Sequence, residues 1–549
     1  LTSLRLSLWW DEKVGEEKAK VVVFRYNPED DERPRYEAHE VPYQEGMTVL
    51  DALTYIRQNH DSTLAFSYEC RCGYCGSCAV EVNGEPTLAC RTLASKNMLI
   101  KPLSNVPIVR DLVVDRTTIM DGLVRIRPFL ERRRPLEREP EELLPADFST
   151  FRIVSRCINC LCCVSRCPTF TEARHLYAGP TLMVEVARLA FDPRDGGDRP
   201  RTAYEEGLFN CAMCGKCTEV CPHDIDVPKL VMMPMRRVTL ERNIGPVEKV
   251  EDLRGLVKTT GKSFIKPLKP TFLSKVPSDV RVEKPRDQVG LFLGCLFDYD
   301  FRLHDVGESA INVLRSNQIE TVIPKGQVCC GLPFILMGYM GPVKEHLLKQ
   351  NLRAFRDFPK MITLCAGCIN TLRNWYPLLC EELGEDYKIQ VLDVSEFLLK
   401  RGLETDLMGE LDLKVTYHDP CELNRNVGVS VEPRKVIQSI PGVQLVEMDE
   451  PDRCCGGNLK MLNPRLGYKI AGRKAKMVRK LDVDAVVTAC PRCITQISSA
   501  LQLERARGVR VLHVVQLLDM AYKGTGLNRP NRVLTSQTRN LNNGSRRGD

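Results

Sequence analysis

No apolar stretch of this 549-residue chain approaches the ~18 uninterrupted residues that mark a membrane-spanning helix. The first residues, LTSLRLSLWWDEKVGEEKAK, lack the basic start, apolar middle and small-residue cleavage site of a secretion signal. No G-x-G-x-x-G fingerprint falls at a strand–helix junction, so a dinucleotide or flavin site of that type is not expected here. A basic stripe is missing as well. The net charge is only +7, and RPFLERRRPLEREPEELL mixes both signs as a solvated connector does. Together these absences predict a cytoplasmic protein with no nucleic-acid partner and no integral membrane partner.

Cysteine, by contrast, is abundant: the chain has 25. Without a secretion signal these thiols are poor disulfide candidates and good metal ligands. Hydrophobic content of 43% and charged content of 27% are those of an ordinary globular protein, long enough for roughly three or four domains.

Organisation follows from the runs between cysteines. KAKVVVFRYN and RYEAHEVPY read as strands, and MTVLDALTYIRQN as a helix with Thr48 as N-cap and Asp51 three residues on. Residues 127–148 are charged and Pro-containing, a linker; 266–288, rich in Pro and Lys, mark a second boundary. The segment between is mainly helical. The end of the chain, 536–549, has the composition of a disordered tail. The last half is duplicated: Cys295, Cys329–Cys330 and Cys365-x-x-Cys368 recur as Cys421, Cys454–Cys455 and Cys490-x-x-Cys493. Short apolar runs (VGLFLG, MITL, LKVTYHD, DAVVTA) precede several of these thiols, so strands should end in cysteine-bearing loops, with each repeat an α/β unit.

The adjacent cysteines are unsuited to bridging each other. Consecutive Cα atoms lie about 3.8 Å apart, inside the ~4.4–6.8 Å span of a disulfide. They can instead clamp one extended metal core, with Gly331 and Gly456 leaving room for its approach. Upstream, Cys70, Cys75 and Cys78 with Cys90 form one four-thiol group, to which a structural zinc is the competing reading. CINCLCCVSRCP supplies Cys157, Cys160, Cys163 and Cys167; CAMCGKCTEVCP supplies Cys211, Cys214, Cys217 and Cys221. Each is a C-x2-C-x2-C-x3-C-P run, whose fourth cysteine serves the other cluster. One cubane [4Fe–4S] cluster is then expected on Cys157, Cys160, Cys163 and Cys221, the other on Cys211, Cys214, Cys217 and Cys167.

The first group resembles the plant-type [2Fe–2S] ferredoxin domain of succinate dehydrogenase and fumarate reductase iron–sulfur subunits, which implies a β-grasp with Cys70, Cys75, Cys78 and Cys90 as ligands. The cluster order extends that resemblance over residues 1–245. Two features depart from the quinone-linked members: Cys214 completes its motif, where a three-iron cluster is usual, and TFTEA after Cys167-Pro168 lacks the tryptophan of their quinone site. The duplicated half resembles the CCG repeats of heterodisulfide reductase. That resemblance implies two non-cubane [4Fe–4S] clusters, one on Cys295, Cys329, Cys330, Cys365 and Cys368, the other on Cys421, Cys454, Cys455, Cys490 and Cys493.

The whole order resembles the iron–sulfur subunit of the thiol:fumarate reductases of methanogenic archaea. It implies a multidomain α+β and α/β chain: a β-grasp domain (1–105), an α-helical bis-[4Fe–4S] domain (106–265) and two CCG repeats (286–405 and 406–535). It further implies oxidation of two small thiols, coenzyme M and coenzyme B, to a heterodisulfide. Electrons would pass to a separate FAD-containing flavoprotein that reduces fumarate. Cys295, Cys330, Cys421 and Cys455 would then be catalytic. His418 is a candidate proton donor near Cys421, or a hydrogen-bonding residue that shapes its loop. Arg425 and Arg492 would hold anionic groups of the thiols, or be solvated. Cys72, Cys162 and Cys380 are left without a role, Cys380 reading as core. Two rival readings stand beside this one. In the first, a succinate dehydrogenase or fumarate reductase subunit uses its CCG domain as a membrane and quinone module. In the second, the chain is a non-enzymatic electron-transfer module.

Overall fold

The structure, a computed structural model, describes residues 17–133, 145, 148–263, 270–506 and 508–527. The expected disordered tail lies outside these residues, as do much of the 127–148 linker and part of the 266–288 boundary.

The N-terminal sheet has the order β2-β1-β5-β3-β4, built from β1 (Lys18–Arg25), β2 (Arg35–Pro42), β3 (Ala79–Val82), β4 (Glu85–Leu88) and β5 (Asn97–Lys101). β1 pairs antiparallel with β2 and parallel with β5, which is the β-grasp arrangement. The helix Val49–Asn59 crosses it, opened by the expected capping box of Thr48 and Asp51. Its Val49, Leu53 and Ile56 are buried, each contributing about 1.5–3 kcal/mol by leaving water. A two-stranded hairpin, β6 (Ile108–Arg110) and β7 (Val113–Val114), leads into a helical region from Thr117 to Thr260 that contains both C-P runs.

The last half holds two sheets. The first contains β8 (Asp279–Val280), β9 (Asp287–Phe292), β10 (Ile319–Val322), β11 (Lys360–Thr363) and β12 (Gln390–Asp393), in the order β12-β11-β9-β10-β8. The second contains β13 (Leu413–Tyr417), β14 (Val443–Leu445), β15 (Ala485–Thr488) and β16 (Arg510–His513), in the order β14-β13-β15-β16. Apart from the short antiparallel β8, both are parallel, and each reads second-first-third-fourth across the sheet. The duplication seen in the cysteines is therefore a duplication of topology. AVVT in β15 is buried throughout, as a parallel strand covered on both faces must be.

In this order the first and third strands are neighbours whose connections leave in opposite directions, and ligands gather at the carboxyl ends of such a pair. Cys295 and Cys365 follow β9 and β11; Cys421 and Cys490 follow β13 and β15. The lobes meet along these ends. Ala366 N–H donates to the Ala489 carbonyl at 3.3 Å, and His513 Nε2 donates to the Leu364 carbonyl at 2.9 Å.

Candidate thiol and iron–sulfur sites

All ten thiols of the two repeated five-cysteine sets are buried, and none of the chain's 25 cysteines is in a disulfide. Within each repeat they touch in the same linear order. Cys295 meets Cys329, which adjoins Cys330; Cys330 meets Cys368, and Cys368 meets Cys365. Cys421 meets Cys454, which adjoins Cys455; Cys455 meets Cys493 at 3.4 Å, and Cys493 meets Cys490. The second cysteine of each CC pair sits mid-chain. Hydrogen bonds from Cys329 and Cys368 hold the Cys330 thiol well below its usual range, and Cys454 and Cys493 do the same for Cys455. Five converging soft donors, the central one hydrogen-bonded by its neighbours on both sides, fit a bound iron–sulfur core.

The CCG glycine has a different task from the one the sequence suggests. Gly331 and Gly456 adopt φ of +97° and +75°. A Cβ on Gly331 would meet Val343 at 2.9 Å, and one on Gly456 would meet the Gly467 carbonyl at 2.6 Å. The bare side thus faces a supporting helix instead of the thiols. In that left-handed turn each glycine N–H points back at the first cysteine of its pair, 3.3 Å from Cys329 Sγ and from Cys454 Sγ.

The upstream groups are also assembled. The N–H groups of Cys72, Tyr74 and Cys75 converge on Cys70 Sγ at 3.3–3.5 Å and bring that thiol down to about 6. Cys78 and Cys90 lie in contact, with burial first and Cys90 next pushing the Cys78 thiol up to about 12. Cys221 faces Cys157 and Cys160, while Cys167 faces Cys211 and Cys214, so each run's last cysteine reaches the other run's trio. Cys72 lies exposed beside Cys70, Cys162 is hydrogen-bonded to Cys160, and Cys380 is buried in the first lobe.

These groups are linked. Cys214 is in hydrogen-bonding contact with Cys454, and both share an apolar cluster with Cys421, Leu459, Leu466 and Ile470. The second repeat therefore meets the helical domain thiol to thiol. At the first repeat, Ser263 Oγ lies 2.7 Å from Cys329 Sγ.

His418 is fully buried. Its Nδ1 donates to the Pro451 carbonyl at 3.2 Å, which leaves Nε2 with a free lone pair and no hydrogen-bond partner among the described residues. One ring nitrogen of His418 lies within 4.8 Å of the Cys455 and Cys493 sulfurs. Burial, then the nearby Lys474 charge, lowers its pKa to about 3, so it is neutral. The two arginines part company. Arg425 is committed to Glu219 at 2.6 Å and Asp452 at 2.5 Å. Arg492 bonds Asn458 and, although it belongs to the second repeat, faces Cys365, Cys295 and Cys330 of the first. Nothing in the sequence pattern signalled Ser263 or this crossing of Arg492, because both depend on how the lobes meet.

Among the described residues no helix is long and apolar enough to cross a membrane. Family profiles agree with the layout: a 2Fe-2S iron-sulfur cluster binding domain matches residues 20–121, a 4Fe-4S dicluster domain 153–225, and a cysteine-rich domain both 289–373 and 415–498. A fumarate reductase (CoM/CoB) subunit of Methanothermobacter marburgensis is 40% identical over 91% of this chain and 99% of its own length. A fumarate reductase iron-sulfur subunit of Mycobacterium tuberculosis is 37% identical over 37% of this chain and 86% of its own. A crystal structure of a hypothetical protein from Helicobacter pylori shares the fold at a TM-score of 0.61, with 13% identity over 92% of this chain and 95% of that one.

Proposed function

The chain belongs to the family of that fumarate reductase (CoM/CoB) subunit, and on that premise we propose that it is the thiol-oxidising, electron-transferring component of such an enzyme. The overall reaction balances as two thiols giving one mixed disulfide, two protons and two electrons, with fumarate taking up two of each to become succinate. Coenzyme M and coenzyme B are the thiols we assign. The fumarate site and FAD belong to a partner flavoprotein.

Cys70, Cys75, Cys78 and Cys90 would hold a [2Fe–2S] cluster. Two cubane [4Fe–4S] clusters fall to Cys157, Cys160, Cys163 and Cys221, and to Cys211, Cys214, Cys217 and Cys167. The two five-thiol chains would each hold a non-cubane [4Fe–4S] cluster. When bound, these groups carry electrons between thiol chemistry and the partner's flavin. The chain's own residues do the rest. Burial keeps water from the thiols, and the glycine turns supply N–H donors to Cys329 and Cys454. Arg492 brings a cation to the junction of the two repeats, suited to an anionic group on a substrate. We assign it, in preference to Arg425, the role of holding the thiols. With Nδ1–H engaged at Pro451 and the ring held neutral, His418 Nε2 is left to accept a hydrogen bond and has no proton to donate.

The observation that carries this reading is the pair of complete, identically ordered five-thiol chains, one of them in contact with Cys214. The test uses anaerobic holoprotein with its flavoprotein partner. Cys330→Ser and Cys455→Ser, made separately, should each abolish fumarate reduction driven by the two thiols. Fumarate reduction driven by an artificial dye should survive in both. Full thiol-dependent activity in either variant would refute the two-repeat site.

A further inference from the structure

The two repeats match in sequence and topology, yet the first cysteine of each CC pair has a different neighbour. In the second repeat it is Cys214, a thiol of the helical domain, that meets Cys454. In the first repeat the corresponding contact is a hydroxyl: Ser263 Oγ sits 2.7 Å from Cys329 Sγ and 3.9 Å from Cys295 Sγ.

We propose that Ser263 is a positioning residue of the first-repeat centre, whose hydroxyl donates to Cys329 and holds that centre at a higher reduction potential than the second. The proposal rests on the reading that each repeat carries an iron–sulfur cluster. A ligand thiolate has no proton to give, so the hydroxyl must be the donor. A hydrogen bond to sulfur withdraws charge and favours the reduced state, whereas an adjacent thiolate opposes it. The glycine N–H donors cannot create the difference, since both lie at 3.3 Å.

Ser263 is built in rather than incidental. It is 2% exposed and is the third residue beyond the helix Val247–Thr260. The Gly261 carbonyl accepts from Cys329 N–H at 2.8 Å. Lys262 is anchored by the Gln327 carbonyl at 3.0 Å and by Asp298 at 3.2 Å. Three consecutive residues beyond that helix are thus fastened to the first CC loop, and the hydroxyl is held where it is. The charges nearby point the same way. Arg492 and Lys262 face Cys295, while Glu422 faces Cys421; Arg492 also faces Cys490 and Lys474 lies near Cys455, which narrows the difference, although Lys474 faces the Asp452 and Glu450 charges as well.

The experiment is a redox titration followed by electron paramagnetic resonance on full-length, anaerobically prepared holoprotein, with iron content measured alongside. Cys368→Ser identifies the first-repeat signal by abolishing it. Ser263→Ala should keep its iron and move that signal's midpoint to lower potential, leaving the second-repeat, cubane and [2Fe–2S] signals in place; Ser263→Thr should restore the midpoint. On the wild-type protein, electron–nuclear double resonance in H2O against D2O should find an exchangeable proton coupled to the first centre that Ser263→Ala loses. An unmoved midpoint, equal shifts of both non-cubane signals, or no such proton would overturn the proposal. If Cys368→Ser left iron content and all signals intact, the cluster assignment itself would fall, an outcome distinct from a failure of Ser263 alone.

Discussion

The Lys216 ammonium lies 2.9 Å from the Asp452 carboxylate, and this ion pair brackets the contact between two thiol sites at Cys214 and Cys454. Lys216 is two residues beyond Cys214, and Asp452 two before Cys454. Arg425 adds a second cation to Asp452, and Arg166 joins Glu450 at 2.8 Å to Glu85 at 3.1 Å. The β-grasp, helical and second-repeat units are thus riveted where the thiols meet.

Asp452→Asn should lower stability by about 1–3 kcal/mol, because two nearly buried cations, Lys216 and Arg425, lose their most buried anion and keep only the half-exposed Glu219 and Glu85. Calorimetry should show a lower melting temperature with unchanged iron content. Burial pushes the Asp452 carboxyl up, but Arg425 and Lys216 outweigh it and hold the group well below the usual carboxylate range. Its stabilising contribution is therefore complete above about pH 4, the unfolded value, and disappears as pH falls through the folded one.

Cys214→Ser should disturb two centres at once, one cubane and the second-repeat site it touches. The [2Fe–2S] and first-repeat signals should remain. Anaerobic spectroscopy of the unmodified protein should show two four-iron cubanes, and a stoichiometric three-iron signal would contradict the completed motif.

His513 closes the joint between the lobes, with Nε2 donating to Leu364 and Nδ1 accepting from Val515 N–H at 3.2 Å. Burial lowers its pKa to about 4, so the folded protein resists a proton that the unfolded chain takes up near pH 6.5. Stability should therefore fall as pH drops from about 6.5 toward 4. His513→Phe should cost about 1–3 kcal/mol at pH 7.5 by orphaning buried polar groups, and should flatten the dependence of melting temperature on pH in that window.

Arg492→Gln and Arg425→Gln should separate cleanly. The first should raise the KM for the thiols several-fold and leave dye-driven fumarate reduction unchanged. The second should chiefly lower the melting temperature, since Arg425 is committed to Glu219 and Asp452.

Much of this was legible in the sequence because thiol spacing is local. The capping box at Thr48 and Asp51, the strands before Cys295, Cys365, Cys421 and Cys490, and the duplication could all be read along the chain. What could not be read was contact between distant segments. Cys214 and Cys454 are 240 residues apart, and Ser263 lies 66 before Cys329, with no motif to join them. The role of Gly331 was hidden for the same reason, since the residue that excludes its Cβ, Val343, belongs to a later helix.

The crossing of Arg492 from one lobe to the thiols of the other carries a consequence for how such a duplication can change. A repeat that borrows a cation from its sibling, and whose Leu364 carbonyl accepts from its sibling's His513, is not a freestanding module. Deleting either copy, or replacing it with a duplicate of the other, would strand buried charge and hydrogen-bonding groups in the survivor. The two halves are bound to drift together, each constrained by substitutions in its twin.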